Sequence, residues 1–411
     1  MTGPGGVVVV GAGECGTGAA LALREEGYAE PVTLVGGEPG HPYERPPLSK
    51  AVLSGAAGLT PLCTPERLAD AGVTHLAGVA ATALDVRAHE LTLADGRVLG
   101  YERLLLATGA RARPLPGAHV LRSHADAVAL RERLVPGTRV GIVGGGFIGL
   151  EVAATAAGLG CAVTVVEAAP RLMGRAVPER LAARAAARHT EAGVDVRCGT
   201  AVARLEPGRI VLGDGGAVEV DVVVAGIGSA PETALAEAAG IAVENGIVVD
   251  GSFATSAPDV FAAGDCCSFP HPLYDDLRLR LESWRAAQEQ GAHAARALLG
   301  AAEPYAAVPW FWSDQYDLSL QVAGLPAVTT EEVVRVRPDG AELWFGLDAG
   351  RLVAVAGIGV GTAVAKDVRI GEMLIARRAT PDPAALADPG VALKPLLRAP
   401  SARRVRSGAI A

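Results

Sequence analysis

Two glycine-rich loops carry the residue types and spacing that could do chemistry. Gly11-Ala-Gly13-Glu-Cys-Gly16 follows the apolar run Val7-Val-Val-Val10, and Gly144-Gly-Gly146-Phe-Ile-Gly149 follows Val140-Gly-Ile-Val143. Glycine there lets the backbone turn sharply and approach a pyrophosphate, which then faces the amides of a helix N-terminus. Each loop precedes an acid at a distance suited to a ribose hydroxyl: Glu38 follows Gly16 by 22 positions, and Glu167 follows Gly149 by 18. A carboxylate at Glu167 would accept from the 2′-OH of NAD and repel the 2′-phosphate of NADP, so NADH is favoured over NADPH. Arg171 and Arg175 would weaken that preference unless they are solvated surface residues. The alternative for the first loop is a tight strand–helix turn that holds no ligand.

Two dinucleotide loops imply two dinucleotides, and the simplest chemistry for such a pair is hydride transfer between a nicotinamide and a flavin. The first loop would then hold FAD. Gly264-Asp265, at the end of the run Val260-Phe-Ala-Ala, fits this, because a carboxylate at a strand end can accept from ribityl hydroxyls; an ordinary turn aspartate is the other reading.

The elements that must position these groups form an internal duplication. Strand 7–10, helix 18–27 and strand 32–35 return as strand 140–143, turn 144–149, helix 150–159 and strand 163–166. Between the copies, 79–93 and 97–106 read as hairpin segments and 104–106 as a buried strand, and 222–224 is the equivalent strand that ends the second copy. A helix is expected over 280–299. From about 310 the pattern turns antiparallel, with short strands at 318–322, 331–336, 341–345 and 352–358 and a helix at 366–377; Pro/Ala-rich 381–400 is a packed or loose tail. Gly357-Ile-Gly-Val-Gly-Thr362 is unusually rich in glycine, consistent with close packing. The fold class expected is α/β: two Rossmann-like dinucleotide-binding domains, the NAD domain inserted in the FAD domain, plus a C-terminal α+β domain. The boundaries expected are 1–115 and 238–308 for FAD, 116–237 for NAD, and 309–411 for the last domain.

With 411 residues, two or three domains are expected. Half the residues are hydrophobic but only 4% are aromatic, and there are 52 glycines, so the core must be aliphatic with many tight turns. A net charge of −8 argues against nonspecific nucleic-acid binding, which needs a basic face. No signal-peptide pattern and no run of about 18 apolar residues appears, so a cytoplasmic protein with no membrane partner is expected. Six cysteines show no CxxC or Cys/His ligand spacing, so no metal site and no iron–sulfur centre of its own is expected. Adjacent Cys266 and Cys267 could close only a strained disulfide, and packing thiols are expected.

The paired loops, Ala107-Thr108-Gly109 at a strand end and Gly264-Asp265 resemble the FAD-dependent pyridine nucleotide oxidoreductases. Pro42-Tyr-Glu-Arg-Pro-Pro-Leu-Ser-Lys50, Arg280-Leu-Glu-Ser-Trp284 and Pro309-Trp-Phe-Trp-Ser-Asp-Gln315 resemble the ferredoxin and rubredoxin reductase branch of that family. The resemblance implies that Lys50 lies near flavin N5 and pairs with Glu151. It also implies that Arg45, Thr108, Gly109, Arg113 and Glu282 belong to the FAD site, and that Trp284 and Trp312 flank the isoalloxazine ring. On the residues alone, Lys50 and Glu151 could be independent surface charges. One departure is Gly37, where the family often has an acid; ribose recognition then falls on Glu38.

Disulfide reductases of this superfamily carry a cysteine pair soon after the first dinucleotide unit, but 42–50 contains none and Cys63 stands alone beyond it. Electrons should therefore leave the flavin directly. The resemblance implies an NADH-dependent reductase of a [2Fe-2S] ferredoxin that serves a monooxygenase or dioxygenase, acting as a monomer or weak homodimer. Arg398, Arg403, Arg404 and Arg406 are one candidate basic patch for an acidic ferredoxin, or else a solubilising tail. An NADH oxidase, a nitrite-reductase-type flavoprotein and a redox sensor like apoptosis-inducing factor are the alternatives.

Overall fold

The computed structural model describes residues 5–174 and 176–398. Arg175, Arg403, Arg404 and Arg406 lie outside the described residues. The chain forms two compact units: one runs to Val140 and adds Leu159–Cys161 and Val222–Ala307, and the other comprises Gly141–Gly158, Ala162–Asp221 and the residues from Val308 onward.

The first unit is built on a parallel five-stranded sheet in the order Val260–Ala262, Arg103–Leu106, Val7–Val10, Val32–Gly36, Val73–Ala77. Val10 lies level with both Val35 and Leu106. Strands covered on both faces must be apolar throughout, which is why 7–10 and 104–106 read as unbroken Val and Leu runs. Strand Val260–Ala262 joins this sheet beside Arg103–Leu106 although more than a third of the chain separates them in sequence, so the chain leaves the first nucleotide-binding fold and returns to finish it. Antiparallel strands Ala81–Asp85, Glu90–Leu93 and Val98–Gly100 form the expected hairpins.

Helix Glu14–Glu25 begins four residues earlier than expected, because the second half of the glycine loop winds into its first turn. It packs against helix Trp284–Leu298. A Cβ at Gly291 would lie 2.4 Å from Cys15 O, so glycine is what lets the two helices approach. The latter helix begins at Trp284 rather than 280: Ser283 Oγ accepts from Ala286 N at 3.2 Å, a cap that leaves 280–283 extended.

The duplication returns as strand Arg139–Val143, whose last three residues open the second unit, helix Phe147–Gly158 and strand Ala162–Val166, the last pairing in parallel with Asp195–Arg197. Helix Glu179–Glu191 turns one face of arginines toward the C-terminal residues: Arg188 Nε meets Asp317 at 2.8 Å, Arg184 donates to Gly340 O at 2.5 Å, and Arg180 pairs with Glu342. The C-terminal part is an antiparallel sheet in the order Trp310–Gln315, Leu318–Gly324, Arg351–Val360, Glu342–Asp348, Glu331–Val336, with helix Ala365–Ala376 packed on it. The glycine-rich segment is explained by that packing. A Cβ at Gly357 would lie 2.9 Å from Leu343 Cδ2 and from Val364 Cβ, and one at Gly371 would lie 2.5 Å from Val355 Cγ1. The tail is packed as far as it is described: buried Arg335 donates to Leu386 O and Ala385 O at 2.7 Å and to Val391 O at 3.1 Å.

The architecture is therefore α/β, with Rossmann-like parallel sheets and a C-terminal antiparallel domain. No helix among the described residues is long and apolar enough to cross a membrane, and none of their His, Cys, Asp and Glu side chains cluster in threes that could hold a metal ion.

Candidate functional site

The first loop is held at the carboxyl end of the parallel sheet. Gly11 N donates to Val35 O at 2.8 Å, and Gly11 adopts φ +113° with its Cα hydrogens against Ala107 O, where a Cβ would lie 2.1 Å away. A Cβ at Gly16 would lie 1.9 Å from Gly11 O. Both glycines are required by the backbone itself. Gly13 differs: a Cβ there would meet no protein atom within 4 Å, so the room beside it belongs to whatever the loop holds. Directly after it, Glu14 Oε2 is buried with no hydrogen-bond partner in the protein. Burial and the charge of Glu44 push the Glu14 carboxyl up to about 7. An open cradle and an unsatisfied buried oxygen at a helix N-terminus fit a bound dinucleotide.

Around this loop the first unit gathers most of its expected residues. A Cβ at Gly264 would lie 3.0 Å from Cys15 Cβ, so the Gly-Asp turn abuts the loop, and Gly264 N donates to the buried Gln290 Oε1 at 2.8 Å. Asp265 is largely buried; desolvation raises its carboxyl above the ordinary range, against the opposing charge of Arg122, whose Nη2 stands 3.4 Å from Oδ2. Arg280 Nη1 donates to Asp265 O at 3.3 Å and pairs with Glu282. Glu38 accepts from Tyr43 Oη at 2.5 Å and from Arg45 Nη2 at 2.6 Å. Burial opposes ionisation of Glu38, but these two partners outweigh it and hold the carboxyl below its usual value. Thr108 Oγ1 donates to Glu232 O at 2.6 Å, Gly109 takes φ +71°, and Arg113 Nε donates to Ser229 O at 2.9 Å. Lys50 is half-buried, its Nζ 3.3 Å from Pro46 O, and Trp284 opens its helix.

Arg122, Tyr43 and Gln290 went unassigned in the sequence. Tyr43 stood inside the quoted 42–50 segment. Gln290 showed itself only as a polar residue on the otherwise Ala-, Gly- and Leu-lined buried face of its helix, and Arg122 carried no signal.

The second loop repeats the geometry. Gly144 takes φ +102° and donates to Val166 O at 2.8 Å, while a Cβ at Gly149 would lie 2.2 Å from Gly144 O. Gly146 O receives Leu150 N at 3.0 Å as the helix starts. Glu167 sits beneath the loop and braces it: Oε2 accepts from Gly145 N at 2.6 Å and Oε1 from Ala169 N at 2.7 Å. A carboxylate has about four acceptor positions, so two remain for ribose hydroxyls. Arg171 is neither loose nor aimed at the loop; its guanidinium donates to Val177 O and Gly174 O, both at 3.0 Å.

Glu151 is buried at the start of the following helix and accepts from Ser313 Oγ at 2.7 Å. Trp312 lies in the strand Trp310–Gln315, its ring stacked on Trp310 at 5.4 Å. Lys50 and Trp284 belong to the first unit, Glu151 and Trp312 to the second. The six cysteines are free thiols, and burial raises Cys15, Cys266 and Cys267 above the ordinary thiol range.

Comparison with known proteins gives the geometry a family. Residues 5–291 match the pyridine nucleotide-disulphide oxidoreductase profile, and residues 310–397 match the reductase C-terminal profile. The chain is 43% identical over 405 residues to the anthranilate 1,2-dioxygenase system ferredoxin–NAD(+) reductase component of Burkholderia cepacia, covering 95% of this chain and 98% of that protein. It is 37% identical over 420 residues to a putidaredoxin reductase of Pseudomonas putida, covering 96% and 97%. Among solved structures, the covalent putidaredoxin reductase–putidaredoxin complex superposes with a TM-score of 0.90 at 37% identity, over 96% of this chain and 98% of that one.

Proposed function

Because the chain belongs to the pyridine nucleotide-disulphide oxidoreductase family, we propose that its first glycine loop receives FAD and its second NADH. The protein is an FAD-dependent oxidoreductase, an NADH-dependent ferredoxin reductase. Bound FAD supplies the hydride acceptor and the means to release electrons singly.

The observation that carries the site assignment is the pair of loops. In each, the third glycine is required by a carbonyl of the first, and each is followed by a carboxylate. In the first unit, residues 11–16 would take the pyrophosphate at their amides, Glu38 a ribose hydroxyl and Asp265 the ribityl chain. Arg45, Thr108, Gly109, Arg113 and Glu282 would complete that site. In the second unit, Gly144, Gly146, Gly149 and Glu167 would hold NADH. Lys50 would stand near flavin N5 and stabilise the negative charge of the reduced ring, with Glu151 as a second catalytic residue. Trp284 and Trp312 would flank the ring. On this reading the FAD domain comprises 1–115 and 238–308, the NAD domain 116–237 and the ferredoxin-facing domain 309–411.

The electron acceptor we propose is a [2Fe-2S] ferredoxin feeding an oxygenase, met in the cytoplasm by a monomer or weak homodimer with no nucleic-acid or membrane partner. What supports direct transfer is the lack of any cysteine in 42–50, the segment where disulfide reductases of the superfamily place their dithiol. The test is an absorbance spectrum of the purified protein, then anaerobic NADH titration, then oxidised [2Fe-2S] ferredoxin. Flavin bands that bleach with NADH and return with ferredoxin are expected; return with oxygen alone would make it an oxidase, slow response to both a sensor, and no flavin would overturn the proposal.

A further inference from the structure

In the second unit, five side chains from three separate segments make one hydrogen-bonded chain, of which the proposed function uses only Glu151. Ser313 Oγ meets Glu151 Oε1 at 2.7 Å, Gln315 Nε2 meets Ser313 Oγ at 3.1 Å, His189 Nε2 meets Gln315 Oε1 at 2.9 Å, and Tyr316 Oη meets His189 Nδ1 at 3.1 Å. Glu151, Ser313, Gln315 and His189 are all at most 5% exposed.

The direction of every bond follows from one end. Ser313 donates its single hydroxyl proton to Glu151 Oε1. Ser313 Oγ must then accept, which turns the Gln315 amide nitrogen toward it and leaves the Gln315 carbonyl facing His189. His189 must carry its proton on Nε2, and the bare Nδ1 accepts from Tyr316. Burial lowers the His189 ring below the ordinary histidine range, which keeps it neutral as this arrangement requires. The charged and titratable groups about it are Arg188, which lies 4.4 Å over the Tyr316 ring and pairs with Asp317 at 2.8 Å, and Glu191 on the same helix. A buried chain in which each donor has one acceptor polarises cooperatively, and every dipole points at Glu151.

We propose that His189 is a positioning residue for the flavin site: acting through Gln315 and Ser313, it holds the Glu151 carboxylate in one orientation. The inference rests on the proposed reading of Glu151 as a catalytic residue. Loss of the Nε2–H donor frees Gln315 to turn, releases the Ser313 hydroxyl and lets the carboxylate swing.

The test uses FAD-loaded protein. Flavin reduction by NADH is followed by stopped flow from pH 6 to 9, together with the flavin midpoint potential, in H189L, H189Q, E151Q and the E151Q/H189L pair. H189L is expected to slow reduction roughly tenfold, about the effect of one lost hydrogen bond, with NADH half-saturation unchanged and the pH profile displaced. H189Q, whose amide N–H can reach Gln315 Oε1, should stay within about twofold of the parent on the same grounds. In the E151Q background H189L should add nothing. Should H189L fail to keep its FAD, S313A removes the last donor with a smaller change. A wild-type rate and profile in folded H189L, with E151Q slow, overturns this inference alone, as do independent, multiplying effects in the pair. E151Q at the wild-type rate overturns the reading of Glu151 itself, and the inference with it.

Discussion

Replacing Glu167 with alanine separates the bracing of the loop that the structure shows from the ribose recognition proposed for the same carboxylate. Its two oxygens take the Gly145 and Ala169 amides at 2.6 and 2.7 Å, and two acceptor positions remain for the proposed ribose. A hydrogen bond to a charged group contributes about 1.5–3 kcal/mol, so losing the one to the 2′-OH should lower kcat/KM for NADH roughly ten- to hundredfold. Leaving Gly145 N, in a buried stretch of the loop, without an acceptor should also destabilise the fold by about 1–3 kcal/mol. The two losses are distinguishable, because damage to the loop lowers kcat/KM for NADH and NADPH together, whereas only the 2′ position changes their ratio. The assay is therefore the NADH/NADPH ratio of kcat/KM with ferricyanide or ferredoxin as acceptor, beside Tm. The expected result is a ratio at least tenfold smaller, since the mutation removes both the attraction to the hydroxyl and the repulsion of the 2′-phosphate. Arg171 is engaged with backbone carbonyls and should not rescue NADPH binding. A lowered Tm with an unchanged ratio would refute the reasoning, leaving Glu167 a brace and nothing more.

The glycines of the first loop should separate by variant. Gly13→Ala should fold with a parental Tm as apoprotein yet hold FAD less tightly, whereas Gly16→Ala, its Cβ driven against Gly11 O, should lose both; equal FAD affinity in Gly13→Ala would show that the space there is not used. Asp265→Ala should lower the flavin-to-protein absorbance ratio after gel filtration, and full retention would remove Asp265 from the site. Glu14 makes a pH prediction. Its carboxyl is raised in the folded chain to about 7, so the group contributes stability below its unfolded value of 4.5, and that contribution is lost as pH rises through about 7. Glu14→Gln should accordingly raise the apoprotein Tm at pH 8 and leave it unchanged near pH 4; a gain of equal size at both would mean that ionisation is not the cause.

Much of the site was legible because its demands are local. Gly11 and Gly144 take φ of +113° and +102°, a requirement that contiguous sequence records as glycine, and the doubly buried strands beside them record theirs as unbroken Val and Leu. The acids after each loop and the missing cysteine pair are likewise matters of spacing and residue type. Helix starts were less legible: 280–299 has helical periodicity throughout, but the hydroxyl of Ser283 decides that the turn begins at Trp284. The remaining contacts join residues far apart in the chain. Arg122 reaches Asp265 across 143 positions, Glu151 reaches Ser313 across 162, and His189 reaches Gln315 across 126. Their partners are chosen by the crossovers that bring strand Val260–Ala262 back beside Arg103–Leu106 and by the helix that carries His189 against the C-terminal sheet. What the sequence by itself determined is therefore the chemistry available, two glycine-rich turns with their acids. The tertiary structure alone decided how each acid is held, because the direction of a hydrogen bond and the burial of a charge are properties of neighbours that no local pattern specifies.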